Sequence, residues 1–367
     1  MEDAFRFADR LGPAKIVCLH NERAGLKAIV VVDNVGCGPS LGGVRMAPDV
    51  SLEECFRLAR AMTLKNAAAG LPHGGGKAVV FADPAMPRAQ KEPLIRAFAG
   101  AIRDVADYIP GPDMGTDEGC MAWVRDEIGR AAGLPRVLGG IPLDEIGATG
   151  YGLAVALEAA QPLGGVALEG ARIAVQGFGA VGQHAARFLA EKGAVLVAAA
   201  DSSATVADPA GLDLAALIAH KNRAPLSAFT GGARQSRDAI IDVACDIWIP
   251  AARPDVLTKD NVARLQARVV AQGANIPATV EAEQMLHQRG VLVLPDFIAN
   301  AGGVICAAEE YRGGAQTSAF AAIADKIARN TREVLEAARA SGAPPREAAV
   351  ALARKRVDEA SSYRRWG

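Results

Sequence analysis

The stretch that decides the fold is Arg172–Asp201, RIAVQGFGAVGQHAARFLAEKGAVLVAAAD. It opens on Arg172–Gln176, whose apolar centre suits a buried strand, and runs into Gly177-Phe178-Gly179-Ala180-Val181-Gly182, a complete GxGxxG. A helical pattern from about Gly182 to Lys192 follows, and then an unbroken apolar run, Val195–Ala200, that reads as a second strand. Each glycine has its own steric reason: the tight turn, the approach of backbone to a pyrophosphate, and close packing of helix on strand. The start of the helix then offers free N–H groups and the positive end of its dipole to phosphate. Asp201, 24 residues beyond Gly177, closes the second strand where a carboxylate meets a ribose 2′-hydroxyl. Three glycines can be only a turn, and Asp201 can be only the cap of the Ser202-Ser203 turn. With strand, glycines, helix and acid in register, the stretch is read as a dinucleotide site. A carboxylate at 201 would repel a 2′-phosphate, which favours NAD over NADP.

Working outward, short strands are predicted at Cys245–Ile249, Arg268–Ala271 and Val291–Leu294. A helix is predicted over Gly150–Ala160, and a long Ala-rich helical pattern over about 317–340. Strands alternating with helices give a parallel, doubly wound sheet. On the N-terminal side Leu26–Val32 and Lys77–Phe81 read as strands. Ser51–Ala69 and Lys91–Asp107 read as helices, the first opened by a Ser51/Glu54 capping box. The texture changes near 148. The expectation is therefore an α/β protein of two domains: an N-terminal α/β domain over 1–148 and a Rossmann-type domain over 149–329. A C-terminal helix of about 330–367 is expected to pack back on the first. A chain of 367 residues is long enough for two cores.

Composition removes several classes. Lys plus Arg number 40 against 41 Asp plus Glu, a net charge of −1, so no basic field draws in nucleic acid or anionic membrane. The six cysteines form no CxxC, which argues against a zinc knuckle or a redox pair and for small buried side chains in a reducing compartment. The N-terminus MEDAFRFADR lacks the apolar core of a secretion signal, and no apolar run is long enough to span a bilayer. These features predict a cytoplasmic protein with small-molecule partners and no metal.

The chemistry is concentrated in residues 62–77, MTLKNAAAGLPHGGGK. A lysine on the apolar side of a helix is costly unless it meets an anion, which singles out Lys65. Three glycines before Lys77 let backbone pass close by and leave its ammonium poorly solvated. The plain alternative is a snorkelling lysine and a flexible loop.

Three further segments decide between these: Leu41-Gly42-Gly43-Val44-Arg45-Met46, Gly111-Pro112-Asp113-Met114-Gly115-Thr116 and Asn300-Ala301-Gly302-Gly303-Val304-Ile305. With the lysine-glycine segment, in order and spacing from about 15 to 315, they resemble the glutamate/leucine/phenylalanine/valine dehydrogenase superfamily. The resemblance implies a substrate domain, a Rossmann cofactor domain and homo-oligomers. It implies that Lys77 and Asp113 are catalytic, Lys77 activating water and Asp113 acting as general acid and base. Lys65 would bind the substrate α-carboxylate. Leu41, Gly42, Gly111, Val304 and Ala307 would line the side-chain pocket, and Asn275 would lie near both substrate and nicotinamide. Thr149 and Asn300 would join the glycine turn and Asp201 on the cofactor. By itself, Asp113 in its Pro-Asp-x-Gly context could be a turn carboxylate.

The resemblance also bears on the substrate. Glutamate enzymes of the family carry a lysine before the Gly-Gly of the first motif and a serine seven residues after the asparagine that opens the last motif, Asn300; here these are Leu41 and Ala307. A γ-carboxylate beside leucine and alanine would lack a cation. Small residues at 111 and 307 leave room for a bulky apolar side chain. The expected activity is NAD-dependent oxidative deamination of a phenylalanine- or leucine-like amino acid. Glutamate is the alternative, because residues 112–127 (PDMGTDEGCMAWVRDE) and 139–152 (GGIPLDEIGATGYG) resemble the glutamate branch. A silent nucleotide-binding regulator is disfavoured by the intact Lys65, Lys77 and Asp113. An amine dehydrogenase is disfavoured by Lys65 and Asn275.

Overall fold

In the computed structural model, which describes residues 5–364, two sheets are formed. The first has the order β1-β2-β4-β3-β5, from β1 (Lys15–Asn21), β2 (Leu26–Asn34), β3 (Ser40–Met46), β4 (Gly74–Val80) and β5 (Tyr108–Pro112). β3 runs parallel to β4 and β5, while β2 is antiparallel to β1 and β4. Helix α1 (Leu52–Ala68) covers one face, with Cys55 and Ala59 packed against Val31 and Val79. The opposite face, with Val30, Val32, Val44 and Val80, packs with Ile95 and Phe98 of α2 (Arg88–Ala101) and Met121 and Val124 of α3 (Glu118–Ile128).

Two local outcomes differ from expectation for identifiable reasons. Ser51 does cap α1, accepting from Glu54 N at 3.1 Å, but the Glu54 carboxylate accepts from Arg45 instead of returning to the cap. The capping box is therefore half made. The helix expected to reach Asp107 stops at Ala101. Arg130 donates to the carbonyls of Ile102, Arg103, Val105 and Tyr108, which satisfies the backbone that a longer helix would have paired internally.

The second sheet has the order β12-β11-β10-β6-β7-β8-β9. Its parallel part is β6 (Arg172–Gln176), β7 (Val195–Ala200), β10 (Ile247–Pro250), β11 (Val269–Ala271) and β12 (Leu292–Leu294). Short β8 (Thr205–Ala207) and β9 (Ala233–Gln235) extend it antiparallel. The helices that go with it are α4 (Ala148–Ala160), α5 (Ala180–Ala190), α6 (Leu214–Lys221), α7 (Val280–Gln288) and α8 (Asp296–Ala299). Trp248 fills the core at 1% exposure, and its indole N–H donates to Ile240 O at 3.1 Å, so the one polar atom it buries is satisfied. The C-terminal part is α9 (Gly302–Tyr311), α10 (Gln316–Ser341) and α11 (Pro345–Ser361).

The described chain divides into two compact units. One holds the residues up to Pro142 with Val304–Ala319 and those from Leu352; the other holds Leu143–Gly303 with Phe320–Ala351. The division departs from a boundary at 148 and a Rossmann domain continuous to 329. Val304–Ala319 falls in the first unit because buried Glu310 accepts from Gly133 N, Leu134 N and Ile141 N. Phe320 falls in the second, its ring packing on Tyr151 and Phe188. Of the C-terminal segment expected to return to the first domain, the part to Ala351 joins the second unit instead. Among the described residues no helix is long and apolar enough to cross a membrane. Of the cysteines, Cys18 is exposed and Cys37 half-buried, so burial holds for the other four.

Candidate active site

In the first unit, β4 lies between β2 and β3, and every one of its residues is buried. A Cβ at Gly75 would overlap the Thr63 backbone. The glycines thus bring α1 directly onto the strand that carries Lys77. Lys77 is 6% exposed, and its Nζ donates to Asp113 Oδ2. Asp113 follows β5 and is fixed at its backbone, where its N–H donates to Thr116 Oγ1 at 3.0 Å while Thr116 donates to Val44 O at 2.8 Å. Its Oδ1 accepts from Met114 N at 2.5 Å and from Arg45 Nη2 at 3.4 Å. Burial alone would raise the Asp113 carboxyl, but Lys77, Arg45 and the Met114 N–H outweigh it and hold it below the usual carboxylate range.

Lys65 stands in the last turn of α1, half-buried. Next to it, buried Asn66 donates to Leu41 O at 3.1 Å and to Gly74 O at 2.7 Å. One carboxamide therefore ties the end of α1 to both the Leu41 and the glycine segments. Leu41 is 3% exposed, and Gly42 and Gly111 are buried on adjacent strands. Val304 and Ala307, three residues apart, are half-buried on α9, whose position is set by Glu310. Arg45, Glu54, Asn66 and Glu310 were not singled out for the site by sequence reasoning. Arg45 was visible inside a motif, and Glu54 as a cap; their contact with each other was not.

In the second unit, Gly177 has φ +95°, and a Cβ there would meet the backbone of Ala251 and Ala252. This position needs glycine on both counts. A Cβ at Gly182 would overlap Gly177 O, so α5 packs hard on β6, whereas nothing stands within 4 Å of one at Gly179. The N-terminus of α5 has no side-chain cap. Beside it lies a cavity of about 650 Å³ lined in part by Gly177, Phe178, Gly179, Asp201 and Lys221; Ala180 and Val181, the first residues of α5, are not in its lining. Gln176 Oε1, also at the cavity, is buried without a partner. Open backbone at Gly179, an uncapped helix start and an orphaned acceptor fit a dinucleotide. Asp201 is placed differently from expectation. Its Oδ1 accepts from Ser203 N, Ser203 Oγ and Ala204 N, and its Oδ2 from Lys221 Nζ at 2.5 Å and Leu226 N at 3.0 Å. Burial works to raise this carboxyl, yet Lys221, Ser203 and Leu226 hold it well below its ordinary range. The turn and the lysine already occupy it.

Asn275 is exposed, and its Oδ1 accepts from Asn300 Nδ2 at 3.1 Å; Asn300 also donates to Gly273 O and Ala274 O. Two expected cofactor residues are thus in contact. Thr149 lies in the first turn of α4, and a Cβ at Gly303 would come within 3.2 Å of its Oγ1.

Comparison with known proteins adds identity to this geometry. Residues 15–130 match the Glu/Leu/Phe/Val dehydrogenase dimerisation domain, and residues 139–365 match the Glutamate/Leucine/Phenylalanine/Valine dehydrogenase domain. The chain belongs to the glutamate/leucine/phenylalanine/valine dehydrogenase family. It is an amino-acid dehydrogenase of the class acting on CH–NH₂ with a nicotinamide cofactor. It is 39% identical to a glutamate dehydrogenase of Aeropyrum pernix, over 91% of this chain and 85% of that one. It is 41% identical to an NADP(+)-dependent glutamate dehydrogenase of Pyrobaculum calidifontis, over 75% and 70%. A solved hetero-hexameric glutamate dehydrogenase of Thermus thermophilus, in a leucine-bound form, superposes with a TM-score of 0.84 at 31% identity, covering 96% of this chain and 90% of that one. These relatives overturn the expectation of an apolar amino acid as substrate. The expectation rested on Leu41, Ala307 and the small Gly111, three positions that by themselves do not fix the charge of the substrate side chain.

Proposed function

We propose that this dehydrogenase interconverts L-glutamate and 2-oxoglutarate. Glutamate, the oxidised dinucleotide and water give 2-oxoglutarate, ammonium, the reduced dinucleotide and a proton. The observation that carries the reading is the Lys77–Asp113 contact, in a chain whose curated relatives at 39% and 41% identity are glutamate dehydrogenases. Lys65 binds the α-carboxylate. The bound nicotinamide supplies the acceptor for the Cα hydride. Lys77 polarises the water that adds to the resulting imine, and Asp113 takes and returns the protons. Gly177–Gly182 hold the pyrophosphate, with Thr149, Asn275 and Asn300 toward the nicotinamide. Of the two dinucleotides, the proposal is that NADP is used as well as NAD. Lys221 neutralises Asp201, and the five bonds that carboxylate accepts leave it little to discriminate with. The family's dimerisation domain supports an oligomer, and free cysteines are consistent with work in the cytoplasm. The test is kcat/KM for glutamate, leucine and phenylalanine with each cofactor. A preference for either apolar amino acid over glutamate ends the reading.

Two observations favour a second reading. Buried Leu41 offers no charge to a γ-carboxylate, and the Thermus relative is a mixed hexamer. This chain would then be one of two kinds of subunit in a glutamate dehydrogenase. Purified alone, it would turn glutamate over poorly, and a second chain of the family isolated with it would restore the rate. Full activity of the pure chain removes this reading.

A further inference from the structure

Arg45 lies in the Leu41–Met46 motif, and no step of the proposed reaction uses it. Its guanidinium stands between two carboxylates from different elements. Nη1 donates to Glu54 Oε1 of α1 at 2.6 Å, and Nη2 donates to Asp113 Oδ1 after β5 at 3.4 Å. The remaining nitrogen, Nε, is buried without a partner. A guanidinium is built to close two parallel bonds on one carboxylate. Here it closes on neither, with a short contact to Glu54 and a longer one to Asp113. Asp113 consequently lies between two cations, Lys77 on Oδ2 and Arg45 on Oδ1.

We infer that Arg45 is a positioning residue of the Lys77–Asp113 pair. It holds the Asp113 carboxylate turned to Lys77 and unprotonated, while Glu54 keeps the guanidinium at the longer distance so that Asp113 can still take up a proton. The inference rests on the proposed roles of Lys77 and Asp113. The charged groups in contact with Asp113 are Lys77 from β4 and Arg45 from β3; Tyr108 of β5 interacts electrostatically with it, Glu54 of α1 lies behind Arg45, and Cys55 of α1 interacts with Lys77, Glu54 and Tyr108. Burial pushes the Cys55 thiol up to about 12 and the Tyr108 phenol well above its ordinary value. Both stay neutral where the enzyme works, so neither supplies an acid limb.

The experiment is the pH profile of kcat/KM for glutamate oxidation in wild type, Arg45→Gln, Arg45→Lys and Glu54→Gln. Folding is checked by circular dichroism, and cofactor binding by quenching of reduced-nicotinamide fluorescence. An opposite charge this close depresses a carboxyl by about 1–3 units. Arg45→Gln should therefore move the acid limb up by about 1 unit, and Arg45→Lys should bring most of that shift back. Glu54→Gln frees the guanidinium toward Asp113 and should move the limb the other way. If Arg45→Gln loses activity with its acid limb unmoved, Arg45 is only a prop and the inference fails. It fails equally if Glu54→Gln shifts the limb in the same direction as Arg45→Gln. Asp113→Asn separates the two levels: if it keeps the turnover and acid limb of wild type, the role of Asp113 is wrong whatever Arg45 does.

Discussion

Asp113 shows how one carboxylate is given a task. Two cations and a backbone N–H hold it ionised in a place where burial alone would favour the protonated form. Lys77 gains by the same contact, because a nearly enclosed ammonium needs an anion. Lys77→Ala and Asp113→Asn should each lower kcat by about 10²–10⁴, while fluorescence titration shows cofactor affinity unchanged, since the dinucleotide residues lie in the other unit. A variant that retained a tenth of wild-type turnover would remove that residue from the catalytic pair. Asp201 has the opposite character. Its carboxylate accepts from the exposed Ser203 N–H and from the part-buried N–H groups of Ala204 and Leu226, so Asp201→Ser leaves the two part-buried donors open, at about 1–3 kcal/mol. The expected result is a lower melting temperature, with the NADP-to-NAD ratio of kcat/KM changing little. A tenfold rise in that ratio at unchanged stability would restore Asp201 as the discriminator. In the sequence, Lys77 and Asp113 could be singled out only through the contiguous motifs that carry the family resemblance, since Asp113 by itself read equally as a turn carboxylate. The commitment of Asp201 was not legible, because Lys221 and Leu226 lie 20 and 25 residues further on.

Among the elements, the contact of α1 with β4 sets the spacing of the two site lysines. Lys65 belongs to the helix and Lys77 to the strand, and at Gly75 the strand has no room for a Cβ against the Thr63 backbone of the helix. Gly75→Ala must push Thr63 outward and carry Lys65 with it. A displacement of about an ångström costs on the order of 10² in rate when it separates groups that share one substrate. The expected pattern is a raised KM for glutamate and a lowered kcat/KM, with cofactor affinity unaltered. Equal weakening of cofactor binding would mean the substitution had damaged more than this contact. This packing explains why the lysine-glycine segment could be read only in part. Three glycines before a lysine announce a close approach, but not that the approaching group is the neighbouring helix. Long apolar elements such as α1, α5 and β7 were legible from periodicity alone. The end of α2 was not, because the residue that stops it, Arg130, is 28 positions beyond Ile102.

Across the whole chain, the C-terminal helix α11 reaches back to residues far away in sequence. Within the second unit, Arg346 donates from Nε to Glu283 Oε2 at 2.6 Å, and from Nη2 to Gln272 Oε1 at 2.8 Å and Asp296 Oδ1 at 2.9 Å. Asp296 Oδ2 in turn accepts from Ile276 N at 2.8 Å, beside Asn275, at a residue whose φ of +48° needs outside support. Glu283 and Asp296 are 5% exposed, so without Arg346 two carboxylates would be buried with their main cation gone. Removing one partner of such a network costs about 3–5 kcal/mol, whereas an apolar replacement of all members can be neutral. Nothing local to Arg346 announces this role, because its three partners lie 50, 63 and 74 residues earlier. Arg346→Met is therefore predicted to lower the midpoint of thermal unfolding by on the order of 10 °C. Below that midpoint it should raise KM for the dinucleotide more than KM for glutamate, because the loop that slackens is the one bearing Asn275. Differential scanning calorimetry and initial-rate kinetics check the two halves separately. A variant that melts with wild type refutes the energetic claim. One that melts early with both KM values unchanged leaves α11 a structural tie without influence on the cofactor loop.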